Sequence, residues 1–275
     1  MQKFFDKYNN RLVFIGKKAN SNFWDEHWDV DDFRKAVISD FGLSSPRRRV
    51  LKLTKKYLHP QDGPILEGGC GRGQNVYVLQ KAGFNCIGVD YAKKTVVKIN
   101  KLIPEIDVRY GDVRKLEFEN GYFAGYWSLG VIEHFWDGYD EILLEIKRVL
   151  KPGGYLFLTF PYMSPLRILK AKLGLYPSLN NLNKIEILTN FYQFALDHKK
   201  VLKDLEKLGF RLKYKKSFGG IKGFKDEITP LKTVFQKLYD YKGKSFLIKA
   251  LKFLLNEILS IFAGHFILLI FKKDY

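Results

Sequence analysis

Through the middle of the chain, short apolar runs alternate with stretches whose apolar positions recur every three to four residues. The apolar runs predict strands at 64–67, 85–89, 107–110, 123–129 and 155–160. Between them the longer period predicts helices over 75–82, 92–102 and 139–150. The first stops at Gly83, the second stops before Pro104, and the third sets Ile142, Ile146 and Val149 on one side. Such alternation specifies an α/β architecture with a parallel sheet. Right-handed crossovers then bring the carboxyl ends of the first four strands to one edge, where open α/β sheets bind ligands.

The flanks are less regular. The first sixty residues show no clear strand and read as a helical cap, 1–60, ahead of a core at 61–160. Within the cap, residues 23–29, FWDEHWD, set Trp24 and Trp28 one helical turn apart, as a packing face or as a screen over a ligand. Ser44-Ser45-Pro46 predicts a helix start, with Val50, Leu51, Leu53, Tyr57 and Leu58 on the apolar side of the helix that follows. Beyond 160 the pattern predicts a lid insertion at 161–197. It holds a basic helix with Leu166, Leu169 and Leu173 on one side and Arg167, Lys170 and Lys172 on others. The core resumes over 198–217 with a helix at 199–208 and a sixth strand at 210–217. A second insertion, 218–263, precedes a last strand, His265 to Lys272, apolar enough to be buried on both faces. Both insertions should leave from the ligand edge and sit over the active site, where loops on a fixed scaffold carry specificity.

The nearly continuous apolar run from Phe253 to Phe271 must be tested as a membrane span. Asn256 and Glu257 within it, and Gly264-His265 dividing it, argue for a helix over 245–262 and a separate strand. Positions 245, 249, 252, 256 and 260 are Ser, Lys, Lys, Asn and Ser, a narrow polar stripe on an otherwise apolar helix. So broad an apolar surface must meet the protein's own core, a second copy in a homodimer, or a lipid interface. Lys242, Lys244, Lys249 and Lys252 suit an anionic membrane surface.

Charge and cysteine content narrow the setting. Forty-seven Lys and Arg against 29 Asp and Glu leave a net charge of +18, which points to an anionic partner or to a lysine-rich surface without one. The two cysteines, Cys70 in a loop and Cys86 in a strand, form no disulfide framework and fit a reducing cytosol. The apolar run 11–15 is too short for the core of a signal peptide, so a cytoplasmic protein, peripheral to a membrane at most, is expected.

The most specific stretch is PILEGGCGRG, residues 64–73, in which a strand ends in Glu67 and breaks into a turn with Gly69, Gly71 and Gly73. Such a turn aims backbone N–H groups and a helix start at a ligand above the strand, or it is a tight connection without one. The third glycine comes one residue early for the dinucleotide fingerprint. Gln74-Asn75 in place of Lys-Ser/Thr excludes a P-loop. One strand later, Asp90 ends CIGVD, and a carboxylate there can accept both hydroxyls of a ribose.

With GVD at 88–90, GDV at 111–113, SLGVIEHF at 128–135 and RVLKPGG at 148–154, the stretch from about 63 to 162 resembles the class I S-adenosylmethionine-dependent methyltransferases, most of all those of ubiquinone and menaquinone biosynthesis. The resemblance implies a Rossmann-like seven-stranded sheet in the order 3-2-1-4-5-7-6, the last strand antiparallel between the fifth and sixth. It also implies S-adenosylmethionine as cofactor. Glu67, Gly69, Gly71 and Gly73 would hold its methionine part, Asp90 the ribose, and Asp112 with Val113 the adenine, with Cys70, Tyr91 and Ser128 as further candidates for the cofactor site.

Methyl transfer from a sulfonium asks the protein mainly to align a nucleophile and exclude water. Glu133 and His134 in VIEHF are the candidate catalytic pair, with His134 either a base or a structural histidine beside the pocket. Tyr162, Tyr192 and His27 are candidates for the pocket wall. No spacing suggests a metal site. Phe123-Ala124 stands where the family commonly has an acid. Ser128-Leu-Gly-Val stands where nucleobase methyltransferases carry (D/N)PP(Y/F), which disfavours a nucleobase amine. A small-molecule acceptor such as a glycan, quinone or lipid-linked precursor is expected, with no specific nucleic acid. An RNA methyltransferase and a cofactor-binding scaffold without catalysis are the rivals.

Overall fold

The computed structural model describes residues 1–39, 46–241, 243 and 245–274. Two strands, β1 (Gln2–Asp6) and β2 (Arg11–Ile15), precede three helices, α1 (Ser21–Trp28), α2 (Phe33–Ile38) and α3 (Pro46–Tyr57). Then come β3 (Ile65–Gly68), α4 (Gln74–Lys81), β4 (Cys86–Asp90), α5 (Lys93–Leu102), β5 (Asp107–Tyr110) and β6 (Phe123–Leu129). The next elements are α6 (Asp140–Val149), β7 (Leu150–Pro161), α7 (Pro165–Lys172), α8 (Lys184–Asn190) and β8 (Phe191–Ala195). The chain continues through α9 (His198–Lys207), β9 (Phe210–Phe218), α10 (Gly220–Glu227), α11 (Lys232–Asp240), α12 (Phe246–Ala263) and β10 (Phe266–Lys273).

The main sheet has the order β5-β4-β3-β6-β7-β10-β9, with β10 antiparallel to both neighbours and the other core pairs parallel. Counted from the first core strand, this is the expected 3-2-1-4-5-7-6. Strand alternation splits the core in two. Ile65, Trp127, Phe157 and Leu268 face α2 to α5, whereas Leu66, Tyr126, Leu158 and Leu269 face α6, α9 and the N-terminal strands. Every strand in the middle of the sheet is therefore apolar on both faces, as parallel sheets covered by helices require.

Two expectations change here. The first sixty residues do contain strands. β1 and β2 form an antiparallel hairpin through a turn in which Asn10 takes φ +48°, and β2 pairs with β8. A hairpin of five-residue strands is marginal alone, and its stabilising third strand lies about 180 positions downstream, so local pattern could not reveal it. The run at 11–15 is thus a buried strand. The fifth core strand also starts early, at Leu150, because Lys151-Pro-Gly-Gly continues extended into β7. Ser44 and Ser45 lie outside the described residues; the helix they were expected to cap starts at Pro46. Among the described residues no helix is long and apolar enough to cross a membrane.

Candidate active site

A cavity of about 660 Å³ opens at the carboxyl ends of β3, β4 and β6. Its floor is the glycine turn. Gly69 and Cys70 donate their N–H groups to the Val89 carbonyl at 2.8 and 3.1 Å, so the turn is fastened to the neighbouring strand. Gly71 has φ +52°, and a Cβ there would stand 2.8 Å from the Trp28 ring. Only glycine allows that approach, so α1 closes onto the turn. Asp25 accepts from the Thr95 N–H at 2.8 Å and Ser21 Oγ donates to the Tyr91 carbonyl at 3.0 Å, holding α1 against the core.

Two acids meet at this floor. Glu67, 2% exposed, accepts from Asn75 Nδ2 at 2.6 Å through Oε1, while Oε2 has no partner among the described residues. Burial, only partly offset by that hydrogen bond, raises its carboxyl to about 8. Asp90 accepts from the Gly71 N–H at 2.7 Å and the Ala92 N–H at 2.9 Å. Burial raises its pKa too, against those two hydrogen bonds. Across the cavity, burial would raise Asp112, but the Arg114 guanidinium, with Nη2 at 2.6 Å, outweighs it and holds the carboxyl low.

The rest of the lining is largely aromatic and apolar, from Trp24, Trp28, Phe135, Trp136, Leu188 and Phe191. His134 lies in it with its ring 5.0 Å from Trp24. Its Nδ1 is 2.7 Å from the Tyr192 carbonyl, so Nδ1 carries the hydrogen and Nε2 keeps a lone pair. Burial drives the imidazole down to about 4, so it is neutral at pH 7.

Glu67, Gly69, Cys70, Gly71, Asp90, Tyr91, Asp112, Val113 and His134 all line the one cavity. Gly73, Ser128 and Glu133 do not. Gly73 serves the turn, donating to the Cys70 carbonyl at 3.0 Å, and a Cβ on it would strike Ile106. Ser128 is buried in β6, and Glu133 is buried with its carboxyl raised to about 8 by the apolar surroundings. Tyr192 and His27 stand one layer back, against the rings of His134 and Trp24, and Tyr162 packs on His198 instead. Of the two insertions only the first reaches the site, through Leu188 and Phe191; no described residue of 218–263 lines the cavity. β9 and β10 stand at the far end of the sheet from β3 and β4, and α10 to α12 are carried there with them. Asn75, Arg114 and Trp136 are site residues that the motifs did not single out. Asn75 was visible as the polar residue one turn after the glycines.

Residues 66–158 match the family model described as a methyltransferase domain. Over that third of the chain the protein is similar to methyltransferase domains. A probable S-adenosylmethionine-dependent methyltransferase of Mycolicibacterium smegmatis is 32% identical over 97 residues, which are 35% of this chain. The match spans 37% of that relative's length. Among solved structures, a SAM dependent methyltransferase from Archaeoglobus fulgidus superposes with a TM-score of 0.53 at 17% identity, covering 92% of this chain and 99% of its own. The cyclase SpnF superposes with 0.55 at 16% identity, covering 95% and 98%. The fold therefore extends through both flanks of the matched stretch, and by itself it does not fix the reaction.

The residues present fit S-adenosylmethionine, the cofactor that the resemblance to class I methyltransferases implies. The unpartnered Oε2 of Glu67 suits a cationic amino-acid group, and the glycine turn leaves no side chain in the way. A cation beside Glu67 should return its carboxyl to the ordinary range, so at pH 7 binding should release close to one proton. Calorimetry with the demethylated product, in buffers of different ionisation enthalpy, should show that release, and Glu67→Gln should abolish it. Equal heats in every buffer would contradict the assignment.

Proposed function

We propose that the protein is an S-adenosylmethionine-dependent methyltransferase whose acceptor is a small molecule with an apolar portion. The observation that carries this reading is the convergence on one cavity of Glu67, the glycine turn and Asp90, with an aromatic lining that holds His134. When bound, the cofactor supplies a methyl group already activated on sulfur. The chain's own work is to bind, orient and exclude water. Glu67 and Asp90 take the two polar ends of the cofactor, and the clamp of Trp24 and Trp28 from α1 screens the site. A neutral His134 offers its Nε2 lone pair to the hydroxyl or amine of an acceptor and so orients it.

With a pKa near 4 His134 is a weak base at pH 7, so His134→Gln should lower kcat about tenfold, the worth of one orienting hydrogen bond. A loss of roughly a hundredfold or more would mark a true general base. Incubation with methyl-labelled cofactor and fractions of quinone precursors, glycans and lipid-linked sugars tests the proposal. Label should appear in a small-molecule fraction. Label in RNA, or in no fraction although the cofactor binds, would overturn it in favour of one of the rivals.

A further inference from the structure

Helix α12 is turned inside out for a protein in water. The carboxyl-terminal part of its polar stripe faces inward, while Ser245 and Lys249 at the other end are exposed. Ser260, 2% exposed, accepts from the Gly220 N–H at 3.0 Å, Asn256 Oδ1 accepts from the Ile221 N–H at 3.3 Å, and Lys252 Nζ donates to the Tyr241 carbonyl at 3.2 Å. Its apolar side faces outward. Phe246, Leu247, Phe253 and Ile261 are 80%, 78%, 67% and 76% exposed.

This roll of the helix is built in. α10 lies backbone against backbone on the polar side of α12. A Cβ on Gly220 would stand 2.3 Å from the Ser260 nitrogen, and one on Gly223 would stand 1.7 Å from the Ala263 oxygen. Two glycines three residues apart permit that approach, and the capped N–H groups of Gly220 and Ile221 fix the register. The apolar face cannot turn inward without breaking this contact.

We propose that this face docks the protein on an anionic lipid bilayer, with α12 lying in the plane of the interface. At 100° per residue the exposed apolar positions from Phe253 round to Ile248 cover an arc of about 220°, more than half the helix. One twin helix covers a narrower seam, whereas acyl chains follow any convex apolar surface. α7 packs beside α12 and adds Leu169 and Leu173, 46% and 64% exposed.

The charges suit the same partner. From Lys232 to Ala263 the sequence has six lysines and two acids, Asp240 and Glu257. Glu257 is paired with Lys216 at 2.7 Å, and Lys249, on the polar side of the helix but beyond its contact with α10, is exposed. A helix of 18 residues with a hydrogen-bonded polar flank lies on a membrane and does not cross it.

Flotation of the whole protein with vesicles tests this, using phosphatidylcholine alone and phosphatidylcholine mixed with phosphatidylglycerol. Binding to the anionic vesicles should be at least tenfold stronger and should weaken with added salt. The triple variant Leu247→Gln, Phe253→Gln, Ile261→Gln changes only exposed side chains, so it should keep its melting temperature and lose that binding at least tenfold. Failure of the wild-type protein to float with anionic vesicles at low salt would overturn the proposal, as would undiminished flotation of the variant. So would a stable dimer that the variant dissolves in the absence of vesicle binding, because a second copy would then be the occupant. Cofactor binding is untouched by any of these results.

Discussion

Asp90→Ala should weaken binding of S-adenosylmethionine and of its demethylated product by at least a hundredfold. The carboxylate has two tasks that alanine cannot share between them. It already accepts from the Gly71 and Ala92 N–H groups, which fixes the crest of the glycine turn relative to β4. It also has lone pairs left for the sugar hydroxyls that the family places there. A hydrogen bond to a charged group is worth about 1.5–3 kcal/mol, and two lost to a ligand give roughly a hundredfold or more. Asp90→Asn should be little better, since its amide would set an NH2 group against one of the two N–H donors. Because Gly71 also seats Trp28, the Asp90 variant should loosen α1, with faster amide exchange over residues 21–28. Calorimetry and exchange are independent readouts. An unchanged Kd with undiminished protection of α1 would remove both tasks from Asp90.

The pattern of the chain carried the core well because each link in it was local. Strand, glycine turn and helix lie within twenty residues of one another between Pro64 and Ala82. The acids at 67 and 90 end adjacent strands whose order follows from right-handed crossovers. What stayed hidden depended on distant partners. β1 and β2 become a sheet only through β8, and Asp112 is neutralised by an arginine two residues away whose conformation no spacing reports. The second insertion was expected above the active site because its strands end at the ligand edge. That edge is seven strands wide, and β9 and β10 lie at its other end. Ser260 and Asn256 were legible as a stripe, yet the direction in which the stripe points depends on Gly220 and Gly223, forty residues upstream.

Arg167 is the largest departure from the pattern, and it leads to the second large effect. On a helical period it belongs to the polar side of α7, but it is fully buried, and its Nε donates to Glu227 Oε1 at 3.0 Å. Glu227 also accepts from Lys3 Nζ at 2.8 Å, Tyr176 Oη at 2.6 Å and Lys170 Nζ at 3.1 Å. One carboxylate thereby ties together β1, α7, the loop after it and α10. Burial alone would raise its pKa, but the charges of Arg167 and Lys3 with these hydrogen bonds hold it at about 2. A carboxyl depressed in the folded state contributes stability above its ordinary pKa of 4.5 and loses that contribution as pH falls towards 2. Thermal melts should therefore show a steep acid limb in that window, and Glu227→Gln should flatten it.

At neutral pH Glu227→Ala should cost about 3–5 kcal/mol, because it strands the buried Arg167 charge, whose remaining partners are the Tyr162 and His265 carbonyls and the His265 ring. The melting temperature should drop on the order of 10 °C. Pairing Arg167→Met with Glu227→Leu removes both charges and should recover most of that loss. Should the double variant prove no more stable than Glu227→Ala alone, the stranded Arg167 charge is not the cause of the damage, and the loss belongs to Lys3 and Lys170 or to packing around α10.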